Sequence, residues 1–233
     1  MSSSDDGDWL GAGMKPFKPP SPMATNGLIL LCVAVQGALL IGGSGFDSAI
    51  IARYGLVPAR ISAVLAGVEP AGSLGIGVTH MFLHSGLLHL GLNMLFLAWV
   101  GRYVEWVTGR IGLIGLFLAG GLVGGAAQWF ADPASMSPVI GASGAIAAVF
   151  GAYAMMFARS RAGGRRVLGI AVPGELLTAL WYAASWIGLQ LLMGVAFSGG
   201  LLGGGIAIWT HIGGFLTGLI LARFWGRGPE ILP

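Results

Sequence analysis

Apolar runs long enough to cross a bilayer, with nearly every charged residue confined to the stretches between them, decide what this chain can fold into. They fall at about 27–44, 86–104, 111–130, 142–158, 175–197 and 206–225, each near the roughly 17–25 residues a helix needs to cross hydrocarbon. Only 9% of the residues are Asp, Glu, Lys or Arg. A charge at the bilayer centre costs about 2.5–3.5 kcal/mol, so this distribution is the one a membrane imposes. The reading is an all-α membrane protein, a bundle of six transmembrane helices with a long first outer loop. Glycine, 42 of 233 residues, lets helices approach closely in lipid and predicts a tight bundle; compositional bias is the alternative.

The net charge of +3 and pI near 9.4 do not indicate nucleic acid, because the basic residues sit in short segments between runs. With a cytoplasmic amino terminus, the inner segments hold Lys15, Lys18, Arg102, Arg110, Arg159, Arg161, Arg165, Arg166, Arg223 and Arg227, and the outer ones only Arg53 and Arg60. That asymmetry follows the positive-inside rule and places both termini in the cytoplasm. The lone cysteine, Cys32, excludes a disulfide framework or a cysteine-rich metal site.

Residues 1–26, rich in Ser, Asp, Gly and Pro, read as a disordered cytoplasmic tail. Residues 27–226 form the membrane domain, and 227–233 a short cytoplasmic tail. The first run follows two lysines and ends in Gly42-Gly43-Ser44-Gly45, so a cleaved signal peptide, leaving five spans, is the alternative. Residues 45–85 read as an elaborated outer loop, broken by Pro58 and Pro70, in which Ile61 to Val68 suits a helix lying in the interface. Shorter outer loops fall near 131–141 and 198–205, and the Arg159 to Arg166 loop faces the cytoplasm.

The four histidines occupy two places: His80, His84 and His89 at the start of the second run, and His211 just inside the sixth. Ionisable residues at membrane depth are expensive and mark functional candidates. Because alternate spans run the same way, the first turns of the second, fourth and sixth lie at one depth. His89 and Asn93 share a helical face, Ser143 opens the fourth run within Gly141-Ala142-Ser143-Gly144, and His211 lies one turn into the sixth. These groups converge within about two turns, roughly 10 Å, of the outer interface. A serine hydroxyl becomes a competent nucleophile when a neutral imidazole takes its proton. Asp5, Asp6, Asp8, Asp47 and Asp132 all lie outside the runs, so Ser143 and His211 read as a dyad. His89, Asn93 and the Ser143 amide are candidate oxyanion donors, and Gly141 and Gly144 allow backbone and substrate to come close. Gly144, Ala148 and Ala152 form one small-residue stripe, Gly214 and Gly218 another, and packing these would bring serine to histidine.

Gly-Ala-Ser-Gly at 141–144, His84 through His89 to Asn93, and His211-x-x-Gly214-x-x-x-Gly218 together resemble the rhomboid family of intramembrane serine proteases, in its bacterial six-span form. Similarity extends to Tyr54-Gly55-Leu56-Val57-Pro58, Gly101-x-x-x-Glu105 and Trp186-x-x-x-Gln190, over about 46–226. The resemblance implies cleavage of single-span membrane proteins in the outer part of a bacterial inner membrane, without metal or other cofactor. Ser143 would be nucleophile and His211 base, His89 and Asn93 oxyanion donors, His84 a shaper of the outer loop and of water access, and Glu105 structural. The fifth span would move aside to admit substrate, whose scissile region would offer small residues on a helix that unwinds readily. Two departures stand out. The first outer loop has no tryptophan to pair with an arginine, and position 147 is Ala where certain members stack an aromatic under the catalytic histidine.

Structural alternatives apply to each residue: Ser143 as a helix cap, His211 as a packed histidine, His89 and Asn93 as hydrogen-bonding supports. Glu105, near Arg102 and Arg110, reads as an ion-pair partner, and His80, Trp186 and Gln190 as structural. Two other functions compete with the protease, an inactive relative that binds membrane clients and a haem or metal protein using the histidines. No HExxH and no paired intramembrane aspartates support other protease chemistries.

Overall fold

The computed structural model describes residues 21–157, 165–167, 169–174, 177–178, 180–182, 184–188 and 207–225. Helix α1 spans Met23–Tyr54, α2 Pro58–Leu65, α3 Ile76–Thr79, α4 Leu87–Ala131 and α5 Ser143–Phe157; the last helix, α6, spans Ile208–Leu221. Among the described residues, α1 and α4 are long and apolar enough to cross a membrane, and α5 and residues 208–224 are shorter apolar helices. The expected run 175–197 is helical at its described residues up to 188. Gln190, the rest of that run, the loop 198–205, Arg159, Arg161 and the tail 227–233 lie outside the described residues, as do residues 1–20. A short hairpin, β1 Arg165–Val167 paired antiparallel with β2 Ile170–Val172, follows α5.

At about 1.5 Å per residue, α4 drawn straight would be roughly 68 Å long, twice the thickness of hydrocarbon. It is not straight, because Gly109 sits at φ 73, ψ 174, a conformation open to glycine and costly for other residues. The chain turns back there. Phe117, beyond the turn, lies 6.1 Å from Phe82, ring to ring, and a methyl added to Gly121 would overlap the Met81 side chain. Residues 117–121 thus return to the level where α4 began. The halves 87–108 and 110–131 match the two runs expected at 86–104 and 111–130.

Two boundaries differ from expectation. Helix α1 begins at Met23, inside the segment read as tail, and it resumes after a break at Gly43 (φ 80, ψ 174) to continue to Tyr54. Residues 45–54 are therefore helical rather than loop. Pro58 likewise opens α2 as its first residue, where its missing N–H costs nothing.

The helix start explains Glu105. Its carboxylate accepts hydrogen bonds from the Ala24 and Thr25 amides, both at 2.8 Å, and from the Thr25 hydroxyl at 2.7 Å. The ion pair expected with Arg102 or Arg110 is not among the described contacts; the positive end of the α1 dipole takes its place. Glu105→Ala would strand buried donors at about 1–3 kcal/mol each. It should lower the thermal midpoint in detergent substantially, with Glu105→Gln falling between, as differential scanning fluorimetry would record.

The segment between α1 and α4 is pinned without a Trp-Arg pair of its own. Arg60 bonds Glu69 at 3.0 Å and the Arg53 carbonyl at 2.8 Å, and the hydrogen bond from Arg60 holds the Glu69 carboxyl below its usual range. Trp129 of α4 donates to Ser62 at 2.9 Å, and Ser62 to the Pro133 carbonyl at 2.8 Å. Leu56 and Val139 form a backbone bridge. The segment before Ser143 is thereby tied to the connection between α1 and α4.

Candidate active site

Helix α5 is apolar on every side, and residues 141–152 are all buried, as expected of a helix surrounded by others. Its approach to α6 depends on missing side chains. A Cβ on Gly144 would overlap Thr210, one on Gly214 the Gly144 carbonyl, one on Gly218 the Ala148 carbonyl, and one on Gly151 the Phe215 carbonyl. The stripe read through Gly144 and Ala148 thus includes Gly151, and Gly144 packs on Thr210 of α6. The second half of α4 closes the third side, where a Cβ on Gly124 would come within 2.5 Å of the Thr210 carbonyl.

This seam brings the first residue of α5 against the first turn of α6. Ser143 Oγ lies 2.7 Å from His211 Nε2, a short hydrogen bond, and the two residues are 8% and 5% exposed.

The strand of chain leading to Ser143 hangs from histidines. The Gly141 amide donates to the His80 carbonyl at 2.9 Å, while His80 Nδ1 bonds the Ile76 carbonyl at 2.9 Å. The Ala142 amide points at His84 Nε2, 3.5 Å away. His80 and His84 are buried and shape this turn.

His89 faces the site with an assignable tautomer. The Ser85 backbone N–H, which can only donate, points at His89 Nδ1 at 3.3 Å, so in the neutral ring Nε2 carries the proton. Gly141 adopts φ 121, and a Cβ there would sit 2.9 Å from His89 Nε2 and 3.7 Å from Ser143 Oγ. The space left by that absent side chain borders both a donor and the serine oxygen. Sequence reasoning missed Ser85, although its spacing of four from His89 is the signal that finds it. Asn93 donates one amide hydrogen to the His89 carbonyl at 2.8 Å, leaving the second available. Among the described residues, no group of His, Cys, Asp or Glu could hold a metal ion.

Gly141→Ala should strain the backbone and press on the His89 ring. We expect a rate loss on the order of 100-fold with little change in melting, measured by turnover beside a thermal scan.

The sequence matches the Rhomboid domain over residues 76–228. The chain belongs to the rhomboid family. Rhomboid membership makes it a multi-pass membrane protein, and Ser143, His211, His89 and Asn93 all lie within the matched region. Rhomboid-related protein 3 of Homo sapiens and its Mus musculus counterpart are each 40% identical to this rhomboid over 78 residues. The match takes in 33% of this chain and 18% of each relative, so it spans less than a fifth of those proteins' length.

Proposed function

We propose that this rhomboid is an intramembrane serine endopeptidase that hydrolyses single-span membrane proteins near the outer face of the bilayer. The observation that carries the reading is the buried 2.7 Å contact between Ser143 Oγ and His211 Nε2. Neutral His211 takes the hydroxyl proton as Oγ attacks the scissile carbonyl. The resulting oxyanion is met by the Ser143 amide at the start of α5, by His89 Nε2–H and by the second Asn93 N–H; such donors contribute about 2.7–4 kcal/mol each. His211 then returns the proton to the leaving amine, and water, activated by the same imidazole, releases the acyl group from Ser143.

Six spans with both termini in the cytoplasm, in a bacterial inner membrane, complete the proposal. The halves of α4, the apolar α1, α5 and α6, and the helical residues up to 188 support the count. The partners are the substrate helices and the lipid itself. The test is the full chain in liposomes with a model single-span substrate, alongside a serine-reactive fluorophosphonate. Cleavage, together with labelling that disappears in Ser143→Ala, is expected. Folded protein that neither cleaves nor labels would instead indicate a client-binding relative.

A further inference from the structure

Among the described residues, the His211 side chain makes one hydrogen bond, the one to Ser143. Among the described residues, no carboxylate bonds the ring. One turn below Ser143, Ala147 is fully buried and offers a single methyl. The aromatic neighbour of His211 comes from elsewhere: Trp186, whose ring centroid lies 6.4 Å away with the planes 76° apart. Edge-to-face pairs are favourable at such separations.

Trp186 is itself held firmly. It is 3% exposed and packs against Phe96 at 4.2 Å and Phe150 at 5.7 Å between centroids. Phe96 lies on the half of α4 that carries Asn93, and Phe150 lies two turns below Ser143 on α5. The indole is thus fixed by the same helices that present the other groups of the site. Its N–H has no hydrogen-bond partner among the described residues, so the ring rather than the donor is what the neighbours contact.

We propose that Trp186 is a positioning residue, whose ring holds the His211 imidazole in line with the Ser143 hydroxyl, in place of an aromatic at position 147. The inference rests on the protease reading of Ser143 and His211.

The test uses the full chain and a small fluorophosphonate, which reaches Ser143 without displacing a helix. Trp186→Leu should label about three- to tenfold more slowly than wild type, the range expected for loss of one such ring pair. Trp186→Phe, which keeps an aromatic ring, should label within about twofold of wild type on the same scale. Rates are compared at a temperature where near-ultraviolet circular dichroism shows all three folded. With a single-span substrate, Trp186→Leu should lower kcat and leave KM unchanged. Labelling of Trp186→Leu at the wild-type rate would overturn the inference. Labelling of Trp186→Phe as slow as that of Trp186→Leu would also overturn it, since bulk rather than aromaticity would then matter. Labelling that persists in Ser143→Ala would sink the protease reading itself, a failure distinct from either.

Discussion

Ser143→Ala, His211→Ala and the double variant should all fall to one common floor, with turnover down by about a millionfold from wild type in each case. On the proposed mechanism, the hydroxyl and the imidazole act as one unit. With Nε2 2.7 Å from Oγ and, among the described residues, no carboxylate bonded to either, removing one partner leaves the other nothing to do. Equality of the three variants is the informative part. If His211→Ala kept a tenth of wild-type turnover while Ser143→Ala kept none, another base would be at work and the dyad would be wrong. Quantifying product from a single-span substrate in liposomes over hours gives the dynamic range required.

Gly218→Val should be nearly as damaging, by a different route. A Cβ at 218 would overlap the Ala148 carbonyl, and backbone on a buried helix cannot rotate out of the way as a side chain would. Overpacking of this kind typically costs about 1–3 kcal/mol, and two branched methyls facing a main-chain oxygen belong at or above the upper end. The consequence reaches the chemistry, because the α5–α6 seam is what sets Ser143 against His211. Loss of fluorophosphonate labelling together with a lowered melting point is expected, whereas Gly115→Ala, where an added Cβ meets nothing within 4 Å, should change neither. A Gly218→Val protein that melts and labels like wild type would mean that the seam is more yielding than its backbone contacts imply.

The parts of the fold legible in the sequence were those written in hydropathy. The runs at 142–158 and 206–225 lie within a few residues of α5, Ser143–Phe157, and of α6 with its extension to Phe224, because apolar length is a local property. Harder to read was the stretch after Gly43, where a glycine cluster looks like a terminus although the helix resumes one residue later. Glu105 shows a different difficulty. Its neighbours in sequence, Arg102 and Arg110, suggest an ion pair, but its partners are the amides of Ala24 and Thr25, some eighty positions away, and a helix dipole carries no charged letter. At the site, the serine and histidine motifs could be placed by depth and helix direction alone. Trp186 could not be placed beside His211, since which face of its helix meets the imidazole depends on how that helix is rotated, and pattern does not fix rotation.

Glu105 is also the only carboxylate among the buried described residues, and it lies about 18 Å along α4 from Asn93 at 1.5 Å per residue. Among the described residues, the Ser143–His211 centre therefore holds no buried carboxylate. Burying an unpaired ion in hydrocarbon costs several kcal/mol, and a centre assembled from hydroxyl, amide and imidazole groups avoids that cost between turnovers. Under the proposed mechanism, charge would separate there only fleetingly, as the oxyanion and imidazolium form side by side. Bulk salt and the charge of surrounding headgroups should accordingly alter how substrates are recruited far more than how fast a bound peptide bond is cut.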